Sequence, residues 1–128
     1  MLIPAGMWGN HHDCWLSAWF DGGVELRPLD YTQPSNYIEA TVLADCDPDQ
    51  VLQFALNQLG LPYDLGAIFQ APRGCELTHQ SSWFCSELIA AAFDSAGFNL
   101  INYHRNRITP EDLYCSPFLL LHHKPNLY

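Results

Sequence analysis

Cys85 is the residue in this chain whose type and position are best suited to covalent chemistry. It lies in the run 81–88 (SSWFCSEL), where a turn gives way to an apolar stretch that predicts a helix beginning at Cys85. A thiol in the first turn of a helix meets unpaired backbone N–H groups and the positive end of the helix dipole, and both favour the thiolate. Cys85 is therefore predicted to be a nucleophile. The alternative is a small buried hydrophobic residue, the commonest role of a free cysteine.

A cysteine nucleophile needs a base that removes the thiol proton and later returns it to the leaving group. Histidine suits both steps because its pKa lies near neutrality. The chain offers six histidines, which are His11, His12, His79, His104, His122 and His123. Residue type alone does not choose among them.

Three short segments around Cys85 narrow the choice, namely 60–64 (GLPYD), 84–88 (FCSEL) and 107–113 (RITPEDL). Their order and spacing resemble the circularly permuted branch of the NlpC/P60 papain-like hydrolases, and the resemblance covers about residues 10–120. That branch includes the YiiX-like and YaeF-like amidases and carries its histidine strand before its cysteine helix, the reverse of papain. The resemblance implies a papain-like core and a thiol hydrolase.

In that branch the base opens the first strand of a hairpin that ends in an Asp-Gly turn, which here selects His11 or His12. We predict His12, because alternation along an extended strand places it on the same face as Cys14 and Leu16. The interval from His12 to the turn at 21–22 is longer than usual for the branch, and a local bulge would absorb the difference. Exposed residues at the start of the strand are the alternative interpretation of both histidines.

A third group normally orients the imidazole by accepting a hydrogen bond from its other nitrogen. Glu25, on the return strand of the hairpin, corresponds to the third polar residue of the resembled branch. Asp30 and Gln33 are alternatives, because a regular two-stranded ladder would bring residues near 30–33 opposite His12. The sequence is equally compatible with the alternative that Glu25 is an ordinary solvated residue of the strand.

The oxyanion hole is predicted to use the backbone N–H of Cys85 and one further donor. Tyr63 is a candidate for that donor or for a substrate contact, since the resembled branch has a tyrosine near its cysteine; a half-buried loop aromatic is the alternative. Ser86 and Glu87 lie in the first turn of the predicted helix, where Glu87 complements the helix dipole.

The elements that would position these residues are expected to form an α+β fold, with an antiparallel sheet packed against the cysteine helix. Strands are expected at 14–20, 24–29, 37–43 and 118–121, and helices after Asp47, at Cys85 and after Thr109. In the cysteine helix, spacing predicts a core face formed by Ile89, Ala92, Phe93 and Ala96. The whole chain, 1–128, is expected to be a single domain.

Composition excludes several classes of function. The net charge of −9 disfavours nucleic acid and anionic membrane surfaces as partners. No apolar stretch approaches the roughly 20 residues that a membrane span needs. Five scattered cysteines without paired spacing predict reduced thiols and a cytoplasmic protein. His11, His12 and Cys14 could contribute metal ligands, but the sequence has no second pair of ligands at a spacing typical of zinc sites. Neither a metal nor a cofactor is therefore implied.

The sequence therefore predicts a cysteine hydrolase that acts on an amide, ester or thioester through a Cys85 acyl-enzyme. The substrate would be an acyl-containing small molecule, a peptide or a lipid. One alternative is an acyltransferase that uses the same thiol, because only the acceptor differs. Another is a catalytically silent papain-like interaction module. The sequence does not determine the oligomeric state.

Overall fold

A computed structural model describes residues 1–31, 38–43, 45–64, 82–101 and 108–123 of the chain. The described part is an α+β fold, as the sequence predicts. Its elements in chain order are β1 (Leu2–Ile3), β2 (Cys14–Trp19), β3 (Gly23–Pro28), β4 (Ile38–Val42), α1 (Pro48–Asn57), α2 (Cys85–Ser95), α3 (Pro110–Tyr114) and β5 (Leu119–His123).

The predicted hairpin of β2 and β3 is confirmed and belongs to a three-stranded antiparallel sheet with the order β1-β2-β3, in which β2 is the central strand. Its register pairs Cys14 with Pro28 and Trp19 with Gly23. The strand β1 adds to the other edge of β2. Alternation along the strands turns Leu16, Ala18 and Val24 into the buried core.

The strands β4 and β5 pair with each other rather than with the hairpin. Their antiparallel register runs from Ile38 opposite His123 to Val42 opposite Leu119. Within the described residues they form a separate two-stranded sheet. The expectation of a single sheet is therefore corrected, because an apolar strand pattern predicts that a segment is extended and does not identify its partner.

Local sequence signals explain where the helices begin. The Asp47 side chain caps α1 by accepting a hydrogen bond from the backbone N–H of Asp49, and Pro48 occupies the first turn. Thr109 and Asp112 form a reciprocal capping box at α3. The Gln50 side chain reaches α2 and donates to the carbonyl of Ser95 at 2.9 Å. None of the described helices combines the length and the apolar run that crossing a bilayer requires.

The cysteine helix α2 lies between two hydrophobic clusters. Leu88, Ala91 and Ala92 pack into the first cluster together with the hairpin and α1. Ala90 packs into the second, with Leu100, Ile101 and Ile108. The predicted core face is therefore only partly right: Ala92 is fully buried, but Ile89, Phe93 and Ala96 are half-buried. A helix that is covered on two sides has no single apolar stripe to detect.

Candidate active site

Cys85 is the first residue of α2, which confirms the predicted helix start. The preceding residue, Phe84, is the N-cap, with extended backbone angles of φ −93° and ψ 147°, and its side chain makes no capping hydrogen bond. An apolar N-cap leaves backbone N–H groups of the first turn uncapped by that side chain. Hydrogen bonding from the backbone of Ser86 and of Cys85 itself lowers the pKa of the thiol. These are the donors that the sequence predicts for the nucleophile.

The pKa of the Cys85 thiol nevertheless lies above its ordinary range. Burial is the largest cause, and the Glu87 carboxylate also raises the pKa. The backbone hydrogen bonds and the α-amino group of Met1 act in the opposite direction without cancelling the burial. The sequence-based expectation of a low pKa is therefore wrong for this structure, since the cost of desolvating a thiolate exceeds the benefit of the helix start. At neutral pH the thiol is protonated, and nucleophilic attack would need a base.

The segment 60–64 connects the hairpin to the residues that precede Cys85. On one side, the N–H of Val24 donates to the carbonyl of Leu61 at 2.8 Å, and the N–H of Gly60 donates to the carbonyl of Val24 at 2.9 Å. On the other, the N–H of Trp83 donates to the carbonyl of Pro62 at 3.0 Å. The segment therefore fixes the start of α2 relative to the three-stranded sheet.

Tyr63 lies close to the start of α2 as a result of this arrangement. It forms a parallel bridge with the fully buried Trp83. Its ring contacts that of Phe84 at 5.8 Å between centroids. Burial raises the pKa of the Tyr63 hydroxyl, and the charge of a Cys85 thiolate raises it further. The hydroxyl thus stays protonated at neutral pH and can donate a hydrogen bond to a developing oxyanion.

Ser86 and Glu87 are buried in the first turn of α2. The Ser86 hydroxyl donates to the carbonyl of Ile108 at 2.5 Å and so ties the helix start to the segment that leads into α3. Glu87 has no exposed surface, and its carboxylate raises the pKa of both Cys85 and Tyr63. For Glu87, the sequence predicts only a favourable interaction with the helix dipole. Its electrostatic effect on the site could not be predicted without its burial.

His12, the predicted base, is exposed and precedes β2, which begins only at Cys14. Its carbonyl accepts a hydrogen bond from the Asn10 amide at 2.7 Å and one from the Cys14 thiol at 3.3 Å. Among the described contacts, none joins His12 or His11 to Cys85. The alternation argument for His12 therefore does not apply, because His12 lies outside the strand, and its role as base stays a prediction.

The side chains of the four remaining histidines lie outside the described part of the chain, so none of them can be compared with His12 as the base. His79 and His104 lie outside the described residues. The backbones of His122 and His123 belong to β5, and their side chains are likewise outside the described part.

Glu25, the predicted orienting group, lies on the outer face of the hairpin. Its neighbours along β3, Val24 and Leu26, pack into the core, so alternation directs Glu25 away from it. Its carboxylate accepts a hydrogen bond from Nε of Arg27 at 2.6 Å. The structure does not bring Glu25 to Cys85. The alternative Asp30 is exposed in the turn after β3, and Gln33 lies outside the described residues.

Arg27 organises that outer face. Its guanidinium pairs with Asp21 at 2.8 Å as well as with Glu25. It also lies over the rings of Trp19 and Tyr31, at 4.5 and 4.4 Å from their centroids. These contacts explain why an arginine is buried on a sheet face and why Glu25 is held there.

The described residues contain no cluster of three or more histidine, cysteine or acidic side chains arranged to bind a metal. Four cysteines lie in the described part, and each is a free thiol: Cys14, Cys46, Cys85 and Cys115. Cys75 lies outside it. The site therefore consists of a half-buried thiol at a helix start, backbone N–H donors and a protonated phenol. Comparison with protein families, with curated protein sequences and with solved structures gives no match for the chain.

Proposed function

We propose that the protein is a cysteine hydrolase that cleaves an amide, ester or thioester bond through an acyl-enzyme on Cys85. The observation that carries this proposal is the position of Cys85 as the first residue of α2, with backbone donors at its sulfur and the Tyr63 ring packed against the preceding residue, Phe84. The resemblance to the permuted NlpC/P60 hydrolases supports the same conclusion. With it we propose a papain-like core and, from the scattered cysteines, a cytoplasmic location.

The reaction would proceed by acyl transfer in two steps. A base takes the proton of the Cys85 thiol while the sulfur attacks the substrate carbonyl carbon. The oxyanion that forms accepts hydrogen bonds from the backbone N–H of Cys85 and from the Tyr63 hydroxyl. The intermediate collapses as the carbon bond to the leaving amine, alcohol or thiol breaks, and the leaving group takes the proton. Water then hydrolyses the thioester and regenerates the thiol.

His12 is the base that we propose for this reaction. Catalytic hydrogen bonds are often long or poorly aligned before substrate binds, so an exposed His12 in the unliganded chain is compatible with the role. The proposal requires that the segment before β2 bring the imidazole to the sulfur when substrate is present. Glu25 stays the orienting group that the resemblance implies; this role would require it to leave Arg27.

Turnover of p-nitrophenyl acetate tests the nucleophile. Cys85→Ala should abolish both the initial burst of p-nitrophenolate and steady-state turnover, because the acyl-enzyme cannot form. Cys115→Ala is the matched control, since Cys115 is an exposed cysteine outside the site. Undiminished turnover by folded Cys85→Ala would refute the proposal.

The same assay tests the base. His12→Ala should slow turnover by about 10²-fold or more, the usual contribution of a general base. His11→Ala should have much less effect. If only His11 matters, the adjacent histidine is the base; if neither matters, the base is another residue or the chain is not an enzyme.

A catalytically silent interaction module is the second candidate, and a specific observation favours it. Burial raises the pKa of Cys85, and no described contact links its sulfur to a histidine. Folded protein that shows no Cys85-dependent burst with any acyl probe would establish this candidate over the hydrolase.

A further inference from the structure

Arg27 holds together a cluster of side chains at the turn of the β2–β3 hairpin. It pairs with Asp21 at 2.8 Å and with Glu25. Its guanidinium lies over the rings of Trp19 and Tyr31, which also contact each other at 5.6 Å between centroids. The indole N–H of Trp19 donates to the Glu25 carbonyl at 3.0 Å, and the Tyr31 hydroxyl donates to Asp21 at 3.4 Å. We call these five residues the arginine clamp.

The arginine clamp closes around the turn itself. Asp21 belongs to the turn, whereas Arg27 lies on β3, so the ion pair joins the turn to the strand that follows it. A Cβ atom at Gly22 would overlap the Glu25 carboxylate at 2.7 Å and the Arg27 guanidinium at 2.8 Å. Both charged groups therefore lie directly against the turn backbone. A planar guanidinium holds its partners in defined directions, which the flexible ammonium of a lysine does not. The clamp thus fixes the conformation of the turn.

The residues that follow the turn contact the segment 60–64. A Cβ atom at Gly23 would overlap the carbonyl oxygen of Leu61, so the two backbones lie in close contact. The same segment holds Trp83 through two backbone hydrogen bonds, of 3.0 and 2.9 Å. Trp83 lies two residues before Cys85. A continuous set of backbone contacts therefore connects the turn to the start of α2.

The ion pairs of the clamp contribute little to stability. The side chains of Asp21 and Glu25 are 63% and 44% exposed, and water screens a pair whose carboxylate is exposed. Replacing Arg27 with methionine would leave no buried charge without a partner, because both carboxylates can turn to water. The methionine would also keep an apolar side chain against the two rings. A role of Arg27 in positioning can therefore be separated from a role in stability.

We propose that Arg27 is a positioning residue for Cys85: by fixing the turn of the hairpin, the clamp sets how the start of α2 packs and how far the thiol is covered. The inference rests on the proposed function only in taking Cys85 as the reacting group. It is compatible with Glu25 as the orienting group, because Asp21 and the two rings still hold Arg27 when Glu25 leaves.

Labelling of Cys85 by iodoacetamide across a range of pH tests the proposal without requiring turnover. In Arg27→Met the turn should loosen and the thiol should become more exposed to water. Because burial is what raises the pKa of Cys85, the midpoint of its labelling profile should move to lower pH by about half a unit or more. Labelling near neutral pH should then be about threefold or more faster. The Tm should fall by no more than about 4 °C.

Asp21→Asn removes an exposed partner of Arg27 and should move the midpoint in the same direction by a smaller amount. Ser17→Ala is the matched control, because Ser17 lies opposite Glu25 in the sheet but outside the clamp, and it should leave both midpoint and Tm unchanged. A midpoint that stays in place in both clamp variants overturns the proposal, whether or not the Tm falls. If Arg27→Met does not fold, Asp21→Asn decides the question.

Turnover of p-nitrophenyl acetate separates this inference from the hydrolase. In a hydrolase, Arg27→Met should lower kcat more than it raises KM, because it displaces the sulfur and not a substrate contact. A displaced labelling midpoint in a chain without Cys85-dependent turnover would support the positioning role and refute the hydrolase. Cys85-dependent turnover with an unmoved midpoint would do the reverse. If neither is seen, both proposals are overturned.

Discussion

Two opposing effects act on the thiol of Cys85. The helix start supplies backbone hydrogen bonds that favour the thiolate, and burial favours the neutral thiol. Burial is the larger effect, so the pKa is raised. This balance suits an enzyme that generates its thiolate only when a base is in place, and it is also what a buried structural cysteine shows. The rate of Cys85 labelling, measured against pH in the folded and in the unfolded chain, shows how far the folded environment changes the thiol from an ordinary cysteine.

The pH profile of iodoacetamide labelling should therefore shift to higher pH when the chain is folded. Below the ordinary thiol pKa, Cys85 is protonated in both states and labels slowly in both. As pH rises, the unfolded thiol ionises first, and the folded thiol follows only at higher pH. Mass spectrometry of the Cys85 peptide, with and without denaturant, measures the two profiles. A folded profile displaced to lower pH would show that the helix start prevails over burial.

Tyr63→Phe isolates the hydroxyl while retaining the ring. The ring contacts to Phe20 and Phe84 should persist, so the free energy of unfolding should change little. If the hydroxyl stabilises the oxyanion, kcat should fall about 10²-fold with little change in KM. Steady-state kinetics with p-nitrophenyl acetate make the measurement. A rise in KM with unchanged kcat would instead indicate a substrate contact.

At the scale of elements, α2 connects the candidate site to both hydrophobic clusters. Leu88, one turn after Cys85, is 1% exposed and packs with the hairpin and α1. Phe93, which the spacing places in the core, is half-buried beside both clusters. Leu88, although smaller than Phe93, thus occupies the more fully buried position.

Leu88→Ala should lower the free energy of unfolding by about 2–5 kcal/mol, because it removes buried contacts and leaves a cavity. Asp94→Ala, at an exposed position of the same helix, should change it by no more than about 0.5 kcal/mol. Chemical denaturation of both variants gives the comparison. Equal effects would mean that α2 does not pack as described.

For the molecule as a whole, the fit between the hairpin and the segment 60–64 determines where the site lies. Gly23 and Gly97 both have a left-handed φ, at +76° and +80°. A Cβ atom at Gly97 would meet open space, whereas at Gly23 it would overlap the Leu61 carbonyl oxygen. Substituting alanine at each of the two positions therefore separates the cost of backbone strain from the cost of losing close packing.

Gly97→Ala should destabilise the chain by about 1–2 kcal/mol, the cost of a left-handed alanine. Gly23→Ala should cost about 1–3 kcal/mol more, because the hairpin must also move away from Leu61. Thermal denaturation compares stability, and p-nitrophenyl acetate turnover reports whether the candidate active site is disturbed. If Gly23→Ala is no more destabilising than Gly97→Ala, the hairpin does not dock tightly on this segment.

The amino-acid sequence by itself determined where the three described helices and the turn of the hairpin lie. The cap at Asp47, the helix start after Thr109, the hairpin turn and the helix start at Cys85 were all predicted. Each depends on interactions between residues a few positions apart, so the sequence contains the whole interaction.

Only the tertiary structure decided how those elements act on Cys85. Burial reversed the expected direction of its pKa, alternation in β3 placed Glu25 on the outer face with Arg27, and β2 began after His12. Glu87 became a buried electrostatic neighbour of the thiol. These outcomes depend on contacts between residues far apart in the chain, and on the desolvation that those contacts cause, so no local pattern of residues contains them.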